Sequence, residues 1–322
     1  MIVELETEKR KKEQLERRLR SRRADPGVPF IGQDEFLACL CLDPAAIVED
    51  LVLVLRQGGA VTGSRQMAIA QSLLNSYEFV DWMASTKPDM LFVNGSQGLE
   101  VYGRVTPVSM SLATLAVSAS EEPSVMVLHF FCGLHAAFTD LLSGPEGLMR
   151  SLIKQLLLLC DFDLAFVNSR AYRDNLRDFD LRTLCDAFRS LMFELPPEQE
   201  VICLIDEISA YETSRWIDDL AVVIDCLCDL VEGQELESLF KVLISSASRG
   251  QYVYKQFATS PVARIFELNA NRIEERDLPT ERELMMANDR SRHPAMGRTD
   301  AEDDYNAFNE DLYNYDDEND GE

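Results

Sequence analysis

The chain has 322 residues, 46% of them hydrophobic, enough for one core domain of about 200 residues or more plus flanking segments. Its formal net charge of -25 sets the body against nucleic acid and anionic membrane surfaces, so no specific nucleic-acid partner is expected. No apolar run reaches the roughly 20 residues of a membrane span, and the N-terminus has no signal-peptide form, which together predict a cytoplasmic or nuclear location.

In chain order, residues 1–29 read as a basic polar helix or arm. Residues 1–23 carry nine Lys/Arg against five Asp/Glu, with i,i+4 pairs such as Glu8 with Lys12 and Glu13 with Arg17. Leu5, Leu15 and Leu19 are too sparse for a heptad seam. Asp25-Pro26-Gly27 and Pro29 end this segment. Residues 30–86 read as a helical prefix. Asp43 is placed to cap a helix opened by Pro44, with Ile47, Leu51, Val54 and Leu55 on one face. Ser64 precedes a second helix with Ile69, Leu73 and Leu74 inward, and a short third helix after Ser76 carries Phe79, Val80 and Trp82.

Residues 87–270 change to short apolar runs separated by helical patterns, the form of a parallel sheet with crossover helices. The predicted strands are 90–94, 124–131, 200–205, 240–246 and 262–268, with helices near 107–119, 146–160, 181–194 and 214–232. The fold class is therefore α/β, three layers around a five-stranded, mostly parallel sheet. Residues 271–322 form an acidic tail predicted to be largely disordered: residues 300–322 hold eleven acids and no base. Eight cysteines, most of them in apolar runs, read as reduced core residues.

Chemistry concentrates at the predicted strand ends. Val201 through Ile205 run into Asp206 and Glu207, the form of a Walker B element, in which the Asp serves the magnesium shell and the Glu polarises the attacking water. Asp206 is thus the candidate metal ligand and Glu207 the candidate catalytic residue. The first strand leads through Gly95, Gly98 and Gly103 into a helix N-terminus, where backbone N–H groups and the helix dipole favour phosphate. Against the consensus G-x-x-x-x-G-K-[ST], Arg104 stands at the lysine and Val105 at the magnesium-binding hydroxyl. Arginine's larger planar fork does not simply replace that lysine. Thr106 or Ser109 would supply a hydroxyl if the loop is re-registered; the plainer role of Thr106 is to cap a helix opened by Pro107. Ser246 and Arg249, after the fourth strand, are candidate sensors of a terminal phosphate. His129, Cys132 and His135 form an H-x-x-C-x-x-H array without a fourth ligand, and no zinc is expected there.

Taken together, Phe79 through Ser85, Leu91 through Gly95, Thr106 through Ser109, His129 through His135, Gly147 through Leu157 and Ile205 through Glu207 resemble the NACHT-like nucleotide-binding module of fungal STAND proteins, a P-loop NTPase-like core. The likeness covers about residues 76–268, and it is to members whose Walker A loop is eroded in this way. It implies a sheet of order 5-1-4-3-2 and, in intact relatives, a nucleotide-dependent switch. With the Walker A lysine lost and no room for the domains that complete the switch, the expectation is a noncatalytic or weakly nucleotide-binding interaction and signalling module, a truncated STAND protein. It would hold ATP or ADP with Mg2+ weakly and work through protein partners that the residues do not identify. The alternative is an active ATP- or GTP-hydrolysing switch with Asp206 and Glu207 at the magnesium and water site.

Overall fold

The computed structural model describes residues 31–60, 64–96, 105–167, 169–233, 236–247 and 252–269. The basic arm, the acidic tail and the candidates Gly98, Gly103, Arg104 and Arg249 lie outside the described residues.

The prefix comprises α1 (Gln33–Cys39), α2 (Pro44–Ala60), α3 (Ser64–Leu74) and α4 (Tyr77–Ala84). Asp43 accepts from the Ala45 N–H at 2.9 Å, and Ser76 accepts from the Phe79 N–H at 3.2 Å, so both helix starts are satisfied as their sequences predict. Phe79 and Trp82 are buried in α4, whereas Val80, one position off their stripe, is 39% exposed.

The core then alternates β1 (Asp89–Ser96), α5 (Pro107–Ala119), β2 (Val125–Phe131), α6 (Gly144–Leu159), α7 (Arg170–Arg177), α8 (Leu181–Met192), β3 (Glu200–Asp206), α9 (Ile217–Glu232), β4 (Leu239–Ser246), α10 (Tyr252–Thr259) and β5 (Ala263–Asn269). The five strands are all parallel, in the order β2-β3-β4-β1-β5, which is the expected 5-1-4-3-2 read from the other edge. Both faces of the sheet are covered, which is why its strands read as unbroken apolar runs. Met90, Phe92, Val201, Cys203, Ile205, Phe240, Val242 and Ile244 face the larger core, with α6, α8 and α9. Leu91, Val93, Ile202, Leu204 and Leu243 face the other side, with α3, α4 and α5.

Two helices were not expected from the sequence. Strongly polar α7 buries only Arg173 and Leu176, too little for an amphipathic stripe to stand out. The β4–β5 crossing contains α10, eight residues long, which buries Val253 and Phe257 and stacks Phe257 on Phe92 at 5.0 Å.

Prefix and core cap each other. Gln33 donates to the carbonyls of Leu157 (2.6 Å) and Cys160 (2.8 Å) and accepts from the Phe162 N–H (3.1 Å), closing the C-terminus of α6. In return, Arg150 of α6 donates to the carbonyls of Leu40, Cys41 and Leu141, and Lys154 donates to Leu42, closing the end of α1. These two buried cations in α6 therefore serve as caps for another helix.

The outer edge of β2 is also covered. The Gln155 carboxamide accepts from the His129 N–H and donates to the His129 carbonyl, both at 2.9 Å, taking the place of a further strand. No helix among the described residues is long and apolar enough to cross a membrane. Replacing Gln155 by Met keeps the volume but strands both backbone groups, and urea unfolding is expected to show a loss of about 1–3 kcal/mol; unchanged stability would mean that the edge finds other partners.

Candidate functional site

The C-terminal edge of the sheet gathers the polar residues. Asp206 ends β3 on the face covered by α5 and is 2% exposed. Its Oδ2 accepts from the Ser109 hydroxyl at 2.5 Å, and its Oδ1 accepts from the Ser245 hydroxyl at 2.5 Å. Ser245 Oγ also accepts from the Glu207 N–H at 3.0 Å, and the Asp206 carbonyl accepts from the Cys132 N–H at 2.9 Å. One residue thus joins α5, β4 and the turn after β2. Burial pushes the Asp206 carboxyl upward, while the hydrogen bonds from Ser109, Ser245 and the Glu207 N–H oppose that shift.

Ser109 reaches Asp206 because Thr106 fixes the start of α5. The two form a reciprocal capping box: Thr106 Oγ1 accepts from the Ser109 N–H at 3.0 Å, and Ser109 Oγ accepts from the Thr106 N–H at 2.8 Å. Their hydroxyls are 2.9 Å apart. Since a serine has a single O–H, and that of Ser109 points to Asp206, the Thr106 hydroxyl is the donor between the two. Pro107 occupies the first turn, where it costs no backbone hydrogen bond.

Glu207 follows in a left-handed conformation, φ 56 and ψ 43, an uncommon setting for a side chain of this size. Burial first and the Asp206 charge second push its carboxyl up to about 7. Its Oε1 accepts from the Ser209 hydroxyl at 3.3 Å, and its Oε2 is buried without a hydrogen-bond partner among the described residues. Among those residues neither Asp206 nor Glu207 has a cationic partner. The Asp206 carboxylate and the Ser109 hydroxyl are oxygen donors of the kind that Mg2+ prefers.

The structure brings together Thr106, Ser109, Asp206 and Glu207 of the residues nominated from sequence. Gly95 lies in β1 opposite Leu268 of β5. Ser246 is buried opposite Asn94, on the far face of the sheet from Asp206. Its neighbour Ser245, not nominated, is the β4 residue that reaches the carboxylate. Only the pairing of Ile205 with Ile244, one step before Asp206 and Ser245, reveals this, and register is invisible in an isolated strand sequence. Val105 packs with Val54, Ala113, Phe131 and Leu134, and Val108 is 3% exposed in the core beside Leu112 and Leu115. The H-x-x-C-x-x-H residues have separate engagements: His129 Nε2 lies 3.3 Å from the Ile47 carbonyl, His135 lies between Asp50 and Asp140, and Cys132 is buried.

Residues 69–247, more than half of the chain and including Ser109, Asp206, Glu207 and Ser245, match the family model for the nephrocystin 3 N-terminal domain. The chain belongs to this family. The nephrocystin 3 N-terminal family is associated with NACHT- and STAND-like proteins, which agrees at that level with the resemblance drawn from the sequence. No curated protein and no solved structure matches. The family match starts within α3 and ends just after β4, so β5 completes the sheet from beyond it.

The raised carboxyl of Glu207 has a definite consequence for stability. The folded protein holds this proton more tightly than the unfolded chain, so this group's contribution is most favourable below about 4.5 and is lost as pH rises toward about 7. Glu207→Gln is expected to be more stable than the wild type at pH 8 and to lose that advantage at pH 4. Urea unfolding at the two pH values measures it; an equal difference at both would place the Glu207 carboxyl in ordinary solvent.

Proposed function

We propose that this chain is a noncatalytic NACHT-like module that holds a magnesium nucleotide weakly and works through protein partners. The observation that carries the reading is the Ser109–Asp206 hydrogen bond at 2.5 Å. In a P-loop the hydroxyl that joins the magnesium shell immediately follows the essential lysine, and the Walker B aspartate lies beside it. Ser109 fits that hydroxyl and Asp206 that aspartate. The residue before Ser109 is Val108, and its side chain is buried in the core.

In this register Arg104 stands five residues before Ser109, outside the lysine position, and the spacing from Gly98 to Ser109 exceeds the consensus loop. The magnesium half of the site is kept and the phosphate-clamping half is lost. A hydroxyl–carboxylate pair that retains Mg2+ without the lysine would bind nucleotide mostly through the metal. The reading includes the finer likeness to fungal STAND modules with an eroded phosphate loop, and a cytoplasmic or nuclear setting. A second reading, an active ATP- or GTP-hydrolysing switch, draws on Glu207, whose carboxyl at about 7 suits a general base.

Calorimetric titration of ATP into the full chain, with and without magnesium, separates the two. The expected result is magnesium-dependent binding weaker than about 100 μM, or some 5.5 kcal/mol, lost in Asp206→Ala, with no release of phosphate. Phosphate release that disappears in Glu207→Gln would replace this reading with the hydrolysing switch.

A further inference from the structure

His135 stands on the turn after β2, with its side chain 7% exposed. Its Nε2 lies 2.8 Å from Asp50 Oδ2, on α2 of the prefix, and its Nδ1 lies 3.0 Å from Asp140 Oδ2, on the same turn. The ring packs on Phe130 with centroids 4.9 Å apart. An ionised carboxylate only accepts hydrogen bonds, so two such partners require a proton on both ring nitrogens. The geometry therefore calls for an imidazolium.

The other titratable groups around it do not share that change. From β2, His129 has its pKa lowered, because burial outweighs both its bond to the Ile47 carbonyl and the Asp50 charge. The Cys132 thiol, at the end of β2, is raised well above its ordinary value by burial and then by Asp206 and Glu207. Tyr211, on the turn after β3, is raised well above its ordinary value by burial first, with Cys132, Asp140 and Asp50 adding to the shift. Asp50 from α2 and Asp140 from the turn complete the surroundings of the ring.

We infer that His135 is a pH-sensitive clasp: protonated, it ties α2 of the prefix to the turn beside the C-terminal edge of the sheet, and loss of the proton loosens α2 from that edge. A neutral imidazole has one N–H to share between Asp50 and Asp140, so one of the two carboxylates loses its bond to the ring, although Asp140 Oδ1 still accepts from the Leu142 N–H at 2.8 Å. Among the described residues α2 is also tied by Leu51, Val54 and Leu55, which pack with Val105, Ala113, Phe131 and Leu134, by Leu51 and Ala46 against the two main cores, and by the bond from His129 to the Ile47 carbonyl. Burial lowers the pKa of His135, but the hydrogen bonds and charges of Asp50 and Asp140 outweigh it and leave the pKa above 6.5. The clasp's contribution is thus complete below 6.5 and is lost as pH rises through the folded value.

The test is amide hydrogen exchange on the full chain between pH 6 and pH 8.5, corrected for intrinsic rates, with the His135 ring titration followed by NMR. In the wild type, protection of α2 is expected to fall by up to about tenfold for each unit by which the folded pKa exceeds 6.5, while β3 and β4 stay protected. Asp50→Asn is expected to bring the His135 titration toward that of a free imidazole and to remove the pH dependence of α2. Asp140→Asn, which leaves α2 unaltered, should reduce that dependence in the same direction. A His135 titration at or below about 6.5 in the wild type would overturn the proposal. So would an α2 protection profile that follows pH equally in the wild type and both variants.

Discussion

A carboxylate buried to 2% exposure is stable only if its surroundings replace the water it has lost, and Asp206 obtains that replacement from two serine hydroxyls on separate elements. This requirement orders the whole C-terminal edge of the sheet. Ser245 reaches Asp206 only if β4 lies next to β3 in the observed register. Ser109 reaches it only if α5 starts above those two strands. The topology provides this, because the chain leaves β1 and returns at β2, on the far side of β4 and β3, so that α5 must cross the sheet. From β4 the chain turns the other way, past β1 to β5, so the direction of crossing reverses between the adjacent strands β1 and β4.

The prefix is joined to the core by polar as well as apolar means. Gln33 closes α6, while Arg150 and Lys154 close α1, so the capping demands of two helices are met across the boundary between prefix and core. His135 adds an ionic tie from α2 to the turn that follows β2. That turn begins at Cys132, whose N–H is bonded to the Asp206 carbonyl. The prefix and the candidate site therefore share a structural element, although their side chains do different chemistry.

Much of this was legible in the residues. The strand runs are apolar because both faces of the sheet are covered, and the helix starts carry their caps in the sequence at Asp43, Ser76 and Thr106. Asp206 and Glu207 were recognisable as a strand-end pair. Two kinds of information were not legible. Register made Ser245, and not Ser246, the partner of Asp206, because adjacent serines in one strand face opposite sides. Tertiary partners made helices of 170–177 and 252–259: α7 is too polar to show a stripe, and α10 is too short to stand out from a loop. The buried cations Arg150 and Lys154 likewise reveal their role only when the carbonyls of α1 are placed beside them.

The most direct measurement of the central constraint is a double-mutant cycle on Ser109→Ala and Asp206→Ala by urea unfolding at pH 7. Hydrogen bonding of this hydroxyl to a buried carboxylate predicts a coupling of about 1.5–3 kcal/mol between the two sites. Additive losses, within about 0.5 kcal/mol, would contradict the account, because Ser109 and Asp206 would then stabilise the fold independently and α5 would have no bond to the end of β3.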